Sequence, residues 1–450
     1  MSPPRLLEHI TAARWFGGKG RSPQLVAVSP LPWLRAPGDW PAYRAEVAEL
    51  RYADGTSERY QLLISYRPTA GDVDPLVIID DPDHGQLYGV DGSADPGLHT
   101  ALQQLLTTGD DKFDPDRPGR PTIVVRRRDI PATLGSTMST RIFNGEQSNT
   151  SILYGDVGWL KIFRRLEPGA NPDISVHDQL SRSGNDRIAR LYGWLQADGL
   201  AGDDQPTDLA MLVEQIPDAV DGWEAALTAV ADHRSFDNEA ASLGAALAAI
   251  HNDLRQHFGT AAIDGGGVAD LMVSRLHAAS AAVVELKPLT PALTSIFDRL
   301  RDRPIAVQRV HADFHLGQAL NSAAGWKIID FEGEPAKPFS ERSRPDSVWR
   351  DLAGALRSFD YAAAAAAERT DGRRTYSGNT AAAEQASGWR SDCQQAFLSG
   401  YGAEATQHSE LAAAYLADKA IYEIVYEARH RPDWLTIPLA AVTELAAGTQ

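Results

Sequence analysis

At 450 residues the chain exceeds what one compact core holds, so two or three domains are expected. Its 43% hydrophobic and 23% charged residues describe an ordinary soluble globular protein. A net charge of −17, from 60 acidic and 43 basic residues, argues against a nucleic-acid or anionic-membrane partner, and the single cysteine, Cys393, against an internal disulfide or a cysteine metal cluster.

In chain order, residues 1–10 lack the apolar stretch of a signal peptide, and no later run approaches a membrane span, so cytoplasmic residence is the default expectation. The sequence leaves the oligomeric state open, with a monomer favoured. Residues 1–90 read as a small, mostly β cap. It has a short helix over 6–15 and strands over 47–50 and 60–65 about the Asp54-Gly55 turn signal. The glycines at 17–20 lack the spacing of a phosphate loop. Residues 71–96, rich in Asp, Gly and Pro, read mostly as loop with one short apolar run at 76–79. Residues 91–218 read as a β-rich lobe. Strands are predicted over 122–126, 148–154, 159–163 and 210–216, the middle pair joined by a turn bearing Gly155 and Gly158. The polar segment 143–150 precedes that hairpin. Its Gly145 and hydroxyls suit a backbone cradle for phosphates, and Lys161 lies mid-strand beyond it. From 219 to 450 the pattern is mostly helical, with helices over 239–254, 348–367 and 412–430. Residues 370–387 read as a loop.

The chemistry concentrates in residues 310–334, VHADFHLGQALNSAAGWKIIDFEGE. Asp313 follows a histidine by two and precedes Gln318 by five. Asp330 ends an apolar run and is followed by Phe331 and Glu332. Phosphoryl transfer needs positioning and charge neutralisation more than covalent chemistry. One carboxylate, Asp313, faces the attacking hydroxyl and takes its proton. A second, Asp330, holds magnesium, which prefers oxygen ligands, with Gln318 offering a neutral oxygen and Glu332 a further one. Two strand-like runs meet at Gly325, so the groups can converge across a hairpin. Kinases of the protein-kinase-like fold share this layout.

The blocks EQSNTS at 146–151, LKIFRR at 160–165, EPG and NPD at 167–173, VHAD at 310–313, HLGQ at 315–318, DFEGEP at 330–335, RDLAG at 350–354, RSFDY at 357–361 and KAIYEIVYEARHRP at 419–432 resemble actinobacterial maltokinases and the related glucosamine kinases. The resemblance spans about residues 15–438. It implies an α+β, two-lobed fold like that of aminoglycoside phosphotransferases and eukaryotic-type kinases, with an added N-terminal cap. It also implies ATP and Mg²⁺. By position, Lys161 holds ATP phosphates and Ser148, Asn149, Thr150 and Ser151 lie over them. The strand carrying Glu214 leads to the hinge where adenine binds. Asp313 is the catalytic base, and Gln318, Asp330 and Glu332 face the metal. Three departures stand out. The family's HGD is here His311-Ala312-Asp313. The acid expected to pair with the strand lysine is replaced by Ser175, leaving Asp173, Asp178 or an acid from another helix as substitutes. An Arg-Arg pair becomes Arg342-Ser343.

On the sugar side, Tyr422, Glu423, Tyr426, Glu427 and Trp434 form an aromatic and acidic cluster. Four-residue spacing puts the tyrosines on one helix face and the glutamates on another. Rings stack on sugar faces, and carboxylates accept hydroxyl or ammonium hydrogens. Asp351 is expected to cap its helix and steady the catalytic loop, which His311 braces. The acidic cleft tilts the expected acceptor toward glucosamine, with maltose close behind. An aminoglycoside acceptor and a catalytically silent binding module are the further readings.

Overall fold

The computed structural model describes residues 4–113, 121–136, 138–145, 148–200, 205–334, 337, 339–371, 381–405 and 409–448. Glu146, Gln147 and Pro335 of the motifs above lie outside the described residues. The chain forms two compact units, Met1–Ser175 with Ala189–Pro217, and Val176–Ile188 with Asp218–Gln450. The segments expected as cap and β-rich lobe thus share the first unit.

The first unit begins with α1 (Pro4–Ala12) and an antiparallel sheet of β1 (Gln24–Arg35), β2 (Ala42–Arg51), β3 (Ser57–Arg67), β4 (Val77–Asp81) and β5 (Gly85–Asp91), in the order β1-β2-β3-β5-β4. Strand side chains alternate between faces, so β3 buries Tyr60, Leu62, Ile64 and Tyr66 against Leu6 and Ile10 of α1, while Leu63 points into a second core. Among the described residues β1 pairs with β2 alone, and its Pro30 and Pro32 suit an edge that needs no further donors. The β4–β5 hairpin corrects the loop expected over 71–96. Asp81 Oδ1 accepts the backbone N–H of Asp83 and of His84, so acidic residues build the turn rather than break the strands.

α2 (Pro96–Thr108) follows, with Pro96 at its first position and Asp95 accepting the Gly97 N–H at 2.9 Å. Then come β6 (Lys112–Phe113), β7 (Thr122–Arg127), β8 (Thr140–Ile142), β9 (Thr150–Tyr154), β10 (Gly158–Ile162), β11 (Arg165–Leu166), α3 (Pro172–Arg182), β12 (Leu191–Asp198) and β13 (Thr207–Glu214). The second sheet has the order β6-β7-β12-β13-β10-β9-β8. β11 pairs with β3 and so belongs to the first sheet.

The second unit carries β14 (Val220–Asp221), α4 (Gly222–Ala231), α5 (Asp237–Phe258), β15 (Thr260–Asp264), α6 (Gly265–Ala282), α7 (Thr290–Asp298), β16 (Pro304–Gln308), β17 (Ala319–Ser322), β18 (Gly325–Ile328), α8 (Phe339–Arg342), α9 (Trp349–Asp371), α10 (Ala381–Tyr401), α11 (Ser409–His430) and α12 (Thr436–Ala447). Leu243, Leu247, Ile250 and Leu254 of α5 pack with Leu352 and Phe359 of α9, Phe397 of α10, and Phe314 and Phe331 of the intervening segments. The loop expected over 370–387 is corrected at both ends. α9 continues to Asp371, α10 starts at Ala381, and residues 372–380 lie outside the described residues. No helix among the described residues is long and apolar enough to cross a membrane.

Candidate active site

In the first unit, β9 and β10 form a tight hairpin whose turn places Gly155 at φ 52°, and the pairing sets Lys161 opposite Ser151 and Met211. Lys161 Nζ donates to Asp173 Oδ2 at 2.8 Å. Asp173 is only 2% exposed and sits in the first turn of α3. Its position is fixed by Asn171, whose Oδ1 accepts the Asp173 N–H at 2.8 Å and whose own N–H donates to Asp208 Oδ2 at 2.6 Å. Asp208 also accepts Gln196 Nε2 at 2.9 Å. Burial pushes its carboxyl up to about 6, against the two hydrogen bonds that favour the anion. Of the substitutes open from the sequence, Asp173 thus meets the lysine, whereas Asp178 pairs with Arg182 at 3.1 Å. Ser175 Oγ turns back onto the Asn171 carbonyl.

The polar segment before β9 is held by Arg164, which sequence reasoning passed over. Arg164 Nε donates to Thr150 Oγ1 at 2.7 Å and its backbone N–H to Asn149 Oδ1 at 3.3 Å. The same guanidinium reaches the Gln61 carbonyl and Ser93 Oγ. Burial lowers its pKa to about 10. Ser151 is buried, Asn149 Nδ2 lies 3.4 Å from Ser148 Oγ, and Glu214 Oε2 accepts the Arg190 N–H at 3.3 Å.

In the second unit, the segment after β16 is anchored by Asp351 of α9. Its Oδ2 accepts the His311 N–H at 2.7 Å and its Oδ1 the Ala312 N–H at 2.8 Å, while His251 Nε2 lies 2.9 Å from Oδ2. Burial alone would raise this carboxyl, but His251, His311 and the backbone donors hold it below the ordinary range. His311 lies 2.9 Å through Nε2 from the Ile329 carbonyl, and its Nδ1 accepts the Asp313 N–H at 3.4 Å. Ala312 and Asp330 both take left-handed backbone conformations, at φ 72° and 66°. The segment runs close to two helices only because two residues lack a Cβ. A side chain at Gly354 of α9 would meet the Phe314 carbonyl oxygen at 2.1 Å, and one at Gly222 of α4 the Leu316 carbonyl oxygen at 2.6 Å.

Gln318 and Asp330 are brought together across the β17–β18 hairpin, with Gln318 Nε2 donating to Asp330 Oδ2 at 3.5 Å. Carboxylate oxygens of Asp330 and Glu332 come within 4.8 Å of one another. The donor set is all oxygen once the Gln318 amide turns, which fits a hard divalent cation such as Mg²⁺ and no soft metal.

Asp313 opens onto a cavity of about 350 Å³. Its carboxylates are Asp313, Glu334 and Asp418, and its cations are Arg275, Lys337, Arg350, Lys419 and Arg429. Lys419 Nζ lies 3.8 Å from Asp313 Oδ1 and 5.4 Å from the centre of the Tyr422 ring. Arg350 donates to Glu334 Oε2 at 2.6 Å and to Asp418 Oδ2 at 3.5 Å, and Arg275 to the same Asp418 oxygen at 2.8 Å. Burial works to raise the Glu334 carboxyl, but Arg350, Lys337 and Lys419 hold it below the usual carboxylate range. Burial, aided by Glu334 and Asp313, pushes the Tyr422 hydroxyl up to about 12.

The aromatic and acidic cluster expected on α11 divides between the cavity and the helix packing. Tyr422 lines the cavity, but Glu423, Glu427 and Trp434 do not. Glu423 is buried against Arg357 Nε at 2.8 Å. Glu427, 1% exposed, is held by Arg431 at 2.9 and 2.7 Å and by the Tyr361 hydroxyl at 3.1 Å. Trp434 stacks on Tyr361. α11 turns Asp418, Tyr422, Val425 and Arg429 to the cavity, a single stripe at helical spacing. Extending that stripe from Tyr422 was the available signal for Asp418. The acidic cleft is also corrected: five cations face three carboxylates, so the chain's net negative charge lies elsewhere.

A family model described as the maltokinase N-terminal cap domain matches residues 9–95. A glucosamine kinase of Streptacidiphilus jiangxiensis is 28% identical over 331 residues, covering 67% of this chain and 72% of that protein. A glucosamine kinase of Mycolicibacterium smegmatis is 26% identical over 349 residues, covering 67% and 78%. A solved glucosamine kinase in complex with glucosamine, ADP and inorganic phosphate superposes with a TM-score of 0.67 at 22% identity, covering 99% of this chain and 100% of that one, so the two share a fold.

Proposed function

We propose that this chain, a homologue of the glucosamine kinases that carries a maltokinase-type N-terminal cap, is an ATP-dependent sugar kinase that phosphorylates D-glucosamine to glucosamine 6-phosphate. The observation that carries the reading is Asp313, set on a braced loop and opening onto a monosaccharide-scale cavity, in a chain with these relatives.

In this reading Asp313 accepts the proton of the attacking hydroxyl as the hydroxyl oxygen bonds to the γ-phosphorus of ATP and the bond from that phosphorus to the ADP oxygen breaks. Lys161, held by Asp173, neutralises ATP phosphate charge, and Ser148, Asn149, Thr150 and Ser151 supply polar contacts to the same phosphates. The strand end at Glu214 offers backbone groups to the adenine. Gln318 and Asp330, with Glu332 beside them, hold Mg²⁺. When bound, the ion neutralises charge on the transferring phosphoryl group. Tyr422 offers a ring face to the sugar at the cavity wall. Glu423, Glu427 and Trp434 support that wall through Arg357, Arg431 and Tyr361.

The cavity's charge does not select an ammonium, so the choice of glucosamine rests on the relatives. Maltose, giving maltose 1-phosphate, is the second reading and is favoured by the cap domain. Initial rates with ATP and glucosamine, maltose, glucose, N-acetylglucosamine or an aminoglycoside decide between them. Glucosamine is expected to give the highest kcat/KM, and Asp313→Asn to lower kcat by about two to four orders of magnitude. A maltose optimum replaces glucosamine with maltose. ATP turnover unaltered by every acceptor removes the kinase reading.

A further inference from the structure

We infer that His315 is a catalytic residue, its Nε2–H donating a hydrogen bond to a non-bridging oxygen of the γ-phosphoryl group during transfer. The inference rests on the kinase reading above and gives a role to a residue of the HLGQ block other than Gln318.

His315 opens the short 3₁₀ turn Leu316–Gln318, and its Nδ1 accepts the Gly317 N–H at 3.1 Å. A ring nitrogen that accepts must keep its lone pair, so the one proton of the neutral ring sits on Nε2. Burial lowers the pKa of the ring, helped by Lys419 and His311 and opposed by Asp313 and Asp330, so it is neutral at neutral pH. The Nε2–H has no hydrogen-bond partner among the described residues. The ring is only part-buried, and Nε2 is not one of the unpartnered atoms closed off from the surface. It is a donor whose tautomer the backbone fixes and which a ligand can reach.

The surroundings decide what it donates to. Asp313, the base, lies two residues before it, and Gln318, a metal-facing group, three after it. Asp313 and Asp330 are both near enough to act on the ring. A donor set among the base and the metal-facing groups meets the phosphoryl group on its way from ADP to the hydroxyl. Asp313 and Phe314 line the sugar cavity, whereas His315 is not among its lining residues. Phosphoryl oxygens only accept, and a preplaced donor helps most where charge spreads over them in the transition state. A neutral donor also spares the base, because an imidazolium would hold the Asp313 carboxylate in its charged form and weaken its pull on the proton. In the step itself the acceptor oxygen bonds to the γ-phosphorus and the bond from phosphorus to the ADP oxygen breaks. The hydroxyl proton passes to Asp313, and His315 keeps its own proton throughout.

Two variants separate this role from the cap that Nδ1 provides. In His315→Asn the amide oxygen replaces Nδ1 and keeps the Gly317 bond, but nothing replaces the Nε2–H. In His315→Gln the amide nitrogen replaces Nε2, and the cap is lost. His315→Asn is expected to lower kcat by about tenfold to a hundredfold, the size of one charge-assisted hydrogen bond, with little change in either KM. His315→Gln should recover most of that kcat. A third measurement needs neither variant nor turnover. Diethyl pyrocarbonate should modify His315 of the wild type, read by peptide mass mapping. Mg²⁺ with ADP and aluminium fluoride, a mimic of the phosphoryl group in transfer, should block it, and the acceptor alone should not.

The reverse order, with His315→Asn active and His315→Gln impaired, assigns the ring to the cap and overturns the inference. An equal loss in both variants, or none in either, overturns it too. A rise in acceptor KM at unchanged kcat in His315→Asn assigns the donor to the sugar and also overturns it. Where the variants do not fold, unaltered modification in the presence of the mimic overturns it in the wild type. Absence of ADP formation by wild type with every acceptor sinks the kinase reading instead, so the two failures are distinct.

Discussion

The carboxylate of Asp351 clasps the backbone of His311, accepting its N–H at 2.7 Å from a position that is wholly buried. The neighbouring N–H of Ala312 takes the other oxygen, so a helix side chain holds the loop two residues ahead of Asp313. Asp351→Ala would leave those donors and His251 without their shared acceptor. Breaking a buried charged pair in this way costs about 3–5 kcal/mol. Urea unfolding should show a loss of that size, with kcat falling more than KM. A loss under about 1 kcal/mol would show that the loop does not depend on the clasp.

Ala312 carries a left-handed backbone at φ 72°, which costs a non-glycine residue about 1–2 kcal/mol. Glycine removes that strain but adds about 0.5–1 kcal/mol of unfolded-state entropy. Ala312→Gly should therefore match or exceed wild-type stability by up to about 1 kcal/mol, with activity within a few-fold. Ala312→Val, branched at Cβ, should lose at least as much as glycine gains. Thermal melts of the three proteins give the order, and a glycine variant that melts below wild type contradicts the strain argument.

Asp330 is left-handed as well, at φ 66°, so alanine there would confound metal loss with strain. Asparagine tolerates this conformation and keeps the shape. Asp330→Asn is expected to abolish most activity at ordinary Mg²⁺, and Gln318→Ala to raise the Mg²⁺ needed for half-maximal rate. A second readout is the rise in melting temperature that Mg²⁺ with a non-hydrolysable ATP analogue gives wild type, which should shrink in both variants. Full activity in excess EDTA would remove the metal assignment.

Asp208 supplies a pH dependence with a definite sign. Its carboxyl is raised from 3.8 to about 6, so the folded state binds its proton more tightly than the unfolded state. Between those values the folded state holds more protons, and stability falls as pH rises. The gap corresponds to about 3 kcal/mol, present below the lower value and lost as pH passes the upper one. Asp208→Asn should flatten this part of the stability curve between pH 4 and 7. Parallel wild-type and variant curves would exclude Asp208 as the source.

The legible parts of the molecule are the local ones. Gln318 and Asp330 meet because one short hairpin with a glycine at its turn separates them, and spacing along the chain suffices to place both. Lys161 facing an aspartate was legible in kind, but choosing Asp173 over Asp178 depends on Asn171 fixing the start of α3. The β4–β5 hairpin was hidden by acidic residues that build its turn. On α11 the four-residue spacing correctly separated tyrosines from glutamates. Which stripe faces the cavity was not readable, since Arg357, 66 residues before Glu423, draws that carboxylate toward α9. Arg164 escaped notice because its partners, Gln61 and Ser93, are distant in sequence.

The two close approaches at Gly222 and Gly354 set the terms on which the acceptor range of this protein can be altered. The segment 314–319 is gripped between positions that tolerate no side chain, so a mutational map should be intolerant there although neither glycine does chemistry. Ala278, Ala282 and Val425 line the same cavity with small side chains on long helices. A library built to accept larger or smaller sugars should vary those three and leave 222 and 354 untouched.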